Sequence, residues 1–126
     1  MARAHRKVRN SPKGEVRSHT PESAAAGIER AIRLLEGRWK LLILFRLFGG
    51  NVRRFSDLER GIPNISQKML AQQLRRLERD GIVHRIVHPT VPPRVDYKLT
   101  DWGESLCPAL DALLQWVELH APLKSS

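Results

Sequence analysis

Between Gly61 and Gly81 lies the feature that most restricts this chain: a turn, Ile62-Pro63-Asn64-Ile65, set between two segments of helical periodicity. Proline and asparagine break the pattern, so these four residues redirect the chain instead of extending a helix. Ser66 then offers a hydroxyl at the N-cap of a helix predicted to run to about Arg79, closed by Asp80-Gly81. At about 100° per residue, Leu70, Leu74 and Leu77 fall within roughly 60° of one another. Leaving them in water would forfeit about 1.5–3 kcal/mol each, so they face a core. Lys68, Gln72, Arg75 and Arg79 lie directly opposite.

The neighbouring segments set the order of elements. Thr20-Pro21 starts a first helix, in which Ile28, Ile32 and Leu35 recur at helical spacing as far as Gly37. A second helix, from about Trp39 through Leu47 and stopped by Gly49-Gly50, is apolar on most sides and is expected at the centre of the core. A third, short helix from Phe55 to about Arg60 leads into the turn. Beyond Gly81 the residues become β-branched. Two short strands are expected, through Ile82–Val87 and Val95–Leu99, joined by the stiff loop Pro89-Thr90-Val91-Pro92-Pro93 as a projecting hairpin. Thr100 caps a last helix, with Leu106, Leu110, Leu113 and Val117 on one stripe and Glu104, Asp111, Gln115 and Glu118 opposite. The fold class is therefore mainly α with a small β-hairpin. Helix, tight turn, helix, then hairpin is the order of a winged helix-turn-helix.

Charge is distributed unevenly over these elements. At 126 residues, with 41% hydrophobic and 28% charged residues, the chain can form one domain around a single core. Its net charge of +9 and pI near 10.8 make a polyanion the leading partner, nucleic acid before an acidic membrane surface. Residues 1–19 hold six basic side chains against Glu15 alone and lack apolar periodicity, so they read as a disordered basic arm. Residues 20–120 form the domain, and 121–126 a C-terminal tail. From Arg53 to Lys98 ten basic residues face five acidic ones, whereas Leu99 to Leu123 carries four acids and no Lys or Arg. This segregation points to a nucleic-acid-facing middle and a C-terminal helix that keeps away from phosphates.

The stripe of Lys68, Gln72, Arg75 and Arg79 bears directly on function. Every member donates hydrogen bonds and none is acidic, and Arg75 and Arg79, four apart, cost the helix about 0.2–0.5 kcal/mol by repulsion. A purely solvated face would more naturally set Glu against Arg. Arg and Lys can address guanine O6 and N7, Gln can pair bidentately with adenine, and Ala71 is small enough to meet a thymine methyl. Ser66, Gln67 and Lys68 lie at the positive end of the helix, where backbone amides hold phosphate. Lys68 and Gln72, with Gln67 and Arg75, are thus the expected base readers, and Arg79 is expected on backbone or water. Arg94 in the hairpin and Arg53, Arg54 and Ser56 at the start of the third helix are either phosphate contacts or solvated residues.

Residues 26–116 resemble the HxlR-type branch of the MarR-like winged-helix transcriptional regulators. The matching segments are Ile28-Glu29-Arg30-Ala31, Gly37-Arg38-Trp39-Lys40-Leu41-Leu42-Ile43-Leu44, Arg54-Phe55-Ser56-Asp57-Leu58, Ile62 through Leu70, and Pro92-Pro93-Arg94-Val95-Asp96-Tyr97. The resemblance implies a sequence-specific regulator of transcription, a repressor by family habit, binding double-stranded DNA as a homodimer. It places the dimer contact on the first and last helices, here Ile28, Ile32, Leu106, Leu110, Leu113 and Val117; burial of the last stripe within one monomer is the other reading. A two-fold dimer would set equivalent helices one DNA turn apart, roughly 34 Å, and so calls for an inverted-repeat operator. Many members carry a cysteine two residues before the Ile28 segment; here Ala26 stands there, followed by Gly27 where proline is usual. Cys107 reads as a buried, inert thiol rather than a redox switch.

Other functions find little support. One cysteine makes no intrachain disulfide, and the longest apolar run, Leu41 to Phe45, is far short of the roughly 20 residues of a membrane span. With no apolar stretch behind the charged N-terminus, a cytoplasmic protein is expected. His84 and His88, four apart on a strand, stand about 13 Å from each other and cannot share a metal ion, while His5, His19 and His120 are scattered. Ser56, Ser66 and Cys107 have no His/Asp partners at a known spacing, Asp57 with Glu59 reads as capping and surface charge, and no glycine-rich loop follows a strand. No enzyme, metal or cofactor is expected. Trp39, Trp102 and Trp116 read as core and interface filling, or as the lining of a cavity for a small effector. The reading outside sequence-specific regulation is a basic winged-helix module for nonspecific nucleic-acid or protein interaction, with the arm as its main binder.

Overall fold

The computed structural model describes residues 18–120; most of the basic arm and the tail at 121–126 lie outside the described residues. The elements are α1 (Pro21–Leu35), α2 (Arg38–Leu47), β1 (Arg53–Arg54), α3 (Phe55–Gly61), α4 (Gln67–Arg79), β2 (Val83–His88), β3 (Arg94–Leu99), α5 (Asp101–Glu104) and α6 (Cys107–His120). The chain divides after Glu36 into two compact units.

Among the described residues the first unit is essentially α1. Thr20 Oγ1 accepts from the Ser23 amide and Ser23 Oγ accepts from the Thr20 amide, both at 3.0 Å, so two orphan donors of the first turn are satisfied reciprocally. Pro21 at the first position loses no bond there. The helix buries none of its residues, and Ile28 and Ile32 stay about 60% exposed.

The second unit is built on α2. Ile43, Leu44 and Leu47 are fully buried, and Leu58 of α3, Leu70, Leu74 and Leu77 of α4, Val83 of β2 and Leu99 of β3 join them in the core. The leucine stripe of α4 faces inward as its spacing requires. The turn before it is held by Ile62 and Ile65, both buried, and by Asn64 at φ 69°. Asparagine tolerates this left-handed conformation better than other residues with a Cβ, which is the local reason that α3 and α4 can meet at so short a connection. α2 is less uniformly buried than its composition suggests: Leu42 and Phe45 are about half exposed, whereas Lys40 is buried.

Two expected features differ. The hairpin is part of a three-stranded antiparallel sheet of order β1-β3-β2, with Arg53 opposite Tyr97 and Arg54 opposite Asp96. Arg53 and Arg54 thus form a strand rather than the first residues of a helix; two residues have no visible period, and their pairing is with a segment about 40 residues away. The last helix is also broken, into α5 and α6. Pro108, in the first turn of α6, has no amide hydrogen and would clash inside a continuous helix, so the helix restarts just before it. The break also redirects Glu104. Instead of facing solvent beside Asp111, its carboxylate accepts from the amides of Gly49 (3.1 Å) and Gly50 (2.8 Å), tying α5 to the turn after α2.

Candidate nucleic-acid interface

The interface starts from the first turn of α4. Ser66 Oγ accepts from the Met69 amide at 3.0 Å, and the amides of Gln67 and Lys68 then have no acceptor within the helix. They point out of its positive end, where a phosphate oxygen fits. Ser66, Gln67, Lys68 and Arg75 are exposed, while Ala71 and Gln72 are half-buried on the flank of the same face. The sequence-derived stripe is therefore on the surface. Arg79, at its far end, turns to Asp80, with Nε 3.6 Å from Oδ1, in keeping with its exclusion from the base readers.

The register adds what periodicity did not show. Side chains alternate across a sheet, so Arg53 and Arg54 project from opposite faces. Arg53 shares its row with Tyr97 and Arg85, the face turned toward α4: Arg85 and Tyr97 line a groove of about 350 Å³ together with Ala71, Leu74, Arg75 and Glu78. Arg85 has no distinguishing signal in the sequence, because only the pairing of β2 with β3 brings it opposite α4. Ser56 is exposed on α3, where the Arg54 amide donates to Asp57 Oδ2 at 3.0 Å and caps the helix.

Arg94 sits at the base of the hairpin loop. Its Nη2 donates to Asp96 Oδ2 at 3.2 Å, and the same oxygen is 2.8 Å from His88 Nε2. The Arg94 hydrogen bond, aided by the contact with His88, holds the Asp96 carboxyl below its ordinary value of 3.8 in spite of burial, which acts the other way. A carboxyl whose pKa falls on folding stabilises the fold above its unfolded value and ceases to do so as pH drops through its folded value. Thermal melts of the wild type and of Asp96→Asn are therefore expected to differ at pH 7 and to converge below about pH 4. A gap that persists unchanged into that range would contradict the assignment.

The apolar rows at the two ends of the chain differ from each other in burial. Leu110 is 8% exposed and Leu106 half-buried, both packed within their own chain, whereas Leu113 and Val117 remain exposed beside Leu114, Trp116 and Leu119. Cys107 is half-buried, not fully buried. Trp39 carries the Arg38 guanidinium 4.3 Å above its ring, and Trp102 and Trp116 are more than half exposed. Among the described residues no cluster of His, Cys, Asp or Glu could hold a metal ion, and no helix is long and apolar enough to cross a membrane.

A capped helix with an outward donor face, a tight turn before it and a three-stranded wing behind it define a winged helix-turn-helix DNA-binding domain. A family model described as HxlR-like helix-turn-helix matches residues 34–125. The chain belongs to that family, whose members are transcriptional regulators rather than enzymes. It is 47% identical over 93 residues to the HTH-type transcriptional regulator YtcD of Bacillus subtilis, covering 74% of this chain and 73% of that one. An HTH-type transcriptional regulator of Methanothermobacter thermautotrophicus is 46% identical over 93 residues, covering 74% and 70%. Among solved structures, a MarR-family transcriptional regulator from Enterococcus faecalis aligns with a TM-score of 0.76 at 36% identity, over 82% of this chain and 94% of that one. The redox regulator HypR in its reduced form aligns at 0.67 and 39% identity, over 73% and 90%.

Proposed function

We propose that this regulator acts in the cytoplasm as a homodimer that reads an inverted-repeat operator and represses transcription from it. The observation that carries the reading is the exposed, donor-only face of α4, free of acidic residues along Lys68, Gln72 and Arg75 and open at the Gln67 and Lys68 amides. Such a face matches base edges and phosphates of a major groove. Lys68, Gln72, Gln67 and Arg75 read bases, with Ala71 against a thymine methyl, and Ser66, Arg53, Arg54, Ser56 and Arg94 position the backbone.

Dimerisation is supported by exposed apolar side chains in both terminal helices: Ile28 and Ile32 in α1, Leu113 and Val117 in α6. Exposed apolar surface of this kind is what a self-association interface buries. Leu106 and Leu110 support it from behind, since they fasten α6 to its own domain. A small effector is a further part of the proposal, bound among exposed aromatic side chains such as Trp102 and Trp116. We assign no redox role: the chain's one cysteine is Cys107, and Ala26 occupies the place of the family's N-terminal cysteine.

Footprinting on DNA upstream of the protein's own gene supplies the operator, and sedimentation supplies the oligomeric state. On that operator and on a random duplex, Lys68→Ala and Gln72→Ala are each expected to lower discrimination by about 1–3 kcal/mol, and Arg54→Ala to weaken both duplexes alike. Equal losses on the two duplexes for Lys68 and Gln72 would remove base reading from α4.

A further inference from the structure

The face of the sheet turned away from α4 is also basic, and the contacts assigned to α4 leave it unused as a surface. Register places Arg54, Asp96 and Ile86 in one row, His84 beside Lys98, and His88 beside Arg94. Because side chains alternate along a strand, all of these project to the same side, opposite to Tyr97 and Arg85. Arg54, His84, Lys98 and Arg94 are exposed there. The single acid of the face, Asp96, is buried, and both His88 and Arg94 hold its Oδ2. Its carboxylate lets cationic groups crowd together at the hairpin base while offering little negative surface of its own.

We propose that this outer sheet face binds the sugar-phosphate backbone of duplex DNA flanking the segment read by α4. The inference rests on the proposed reading of α4, whose bound duplex supplies the flanks. Charge complementarity is the first argument: three permanent cations and two imidazoles face outward with no exposed acid among them. Dimension is the second. From Arg94 to Lys98 the strand extends about 13 Å, which spans roughly four phosphates of one DNA strand at 3.4 Å per charge. Stiffness is the third, since Thr90 Oγ1 donates to the Pro92 carbonyl at 2.7 Å and its amide to the His88 carbonyl at 2.8 Å, so the loop above the patch is internally tied. The contact would be sequence-independent and would add affinity without adding discrimination.

The test uses the full-length protein, two duplexes centred on the footprinted operator, and the double variant His84→Gln/Lys98→Gln. Both positions are exposed and outside the α4 face. One duplex ends at the edges of the inverted repeat; the other extends about ten base pairs further on each side, one helical turn. Wild type is expected to bind the longer duplex about 3–10-fold more tightly. The double variant should lose that advantage, bind the shorter duplex as wild type does, and show a salt slope on the longer duplex lower by about 0.9 for each phosphate contact removed. Equal binding of both duplexes by wild type, or an unchanged advantage in the variant, would overturn the proposal while leaving the α4 reading intact. That reading fails separately, if Lys68→Ala and Gln72→Ala discriminate as wild type does. Loss of binding to phosphatidylserine vesicles by the variant, with both duplexes bound normally, would assign the patch to a membrane and also overturn the proposal.

Discussion

Arg75→Glu is expected to abolish measurable DNA binding, with at least a 100-fold loss on operator and random duplex alike, while the melting temperature stays within a degree or two of wild type. A 100-fold loss corresponds to about 2.8 kcal/mol. The arginine is exposed on α4 between Gln72 and Arg79 and borders the groove shared with Arg85 and Tyr97. Removing its charge deletes one base or phosphate contact, worth about 1–3 kcal/mol. Placing a carboxylate there adds repulsion from every nearby phosphate, since like charges brought together at an interface cost several kcal/mol. The fold does not share this cost. Glutamate is a good helix former, and a carboxylate at position 75, four residues before Arg79, replaces a repulsive pair with an attractive one. Binding and stability therefore separate, and a variant that retains operator affinity would show that α4 does not face DNA.

Gly103→Ala is expected to have the largest effect on the fold, lowering unfolding free energy by about 3 kcal/mol in urea titrations. A Cβ on Gly103 would collide with the carbonyl oxygen of Ile82. That oxygen is backbone and accepts the Thr100 amide at 3.0 Å, with the Thr100 hydroxyl 3.3 Å away, so it cannot yield without loosening the junction of β2, β3 and α5. Overpacking of this kind costs about 1–3 kcal/mol, and each weakened hydrogen bond adds about 1 kcal/mol. Set against a total of about 5–15 kcal/mol for a domain, the loss is severe. Because α5 leads directly into α6, the variant should also associate more weakly with itself if α6 carries the dimer contact. Wild-type stability in Gly103→Ala would show that α5 does not seat on Ile82.

The register and the break in the last helix show where sequence reading stopped. Leucines at 70, 74 and 77, the Ser66 cap and the Pro63-Asn64 turn are local features, and each appears in the structure as its spacing implied. The donor face of α4 follows from the same spacing, because the position of a side chain around a helix depends only on its place in the chain. Arg53 and Arg54 are recognisable in the sequence as basic residues near a helix start, but their separation onto two faces depends on pairing with Tyr97 and Asp96 far along the chain. Glu104 has the periodicity of an outer-face acid; only the arrival of the Gly49-Gly50 amides beside α5 makes it a tie between elements.

By itself the sequence determined the order of elements, the inward leucines, the outward cations of α4 and membership of a regulator family, since all of these arise from short-range period, capping and matched segments. Tertiary structure decided which acids are consumed by amides and cations, which of two adjacent arginines faces α4, and where a glycine has no room for a methyl group. The reason is physical: helix faces are set by a repeat of about 3.6 residues within one segment. Sheet faces and close backbone approaches are set by contacts between segments, and no local repeat encodes them.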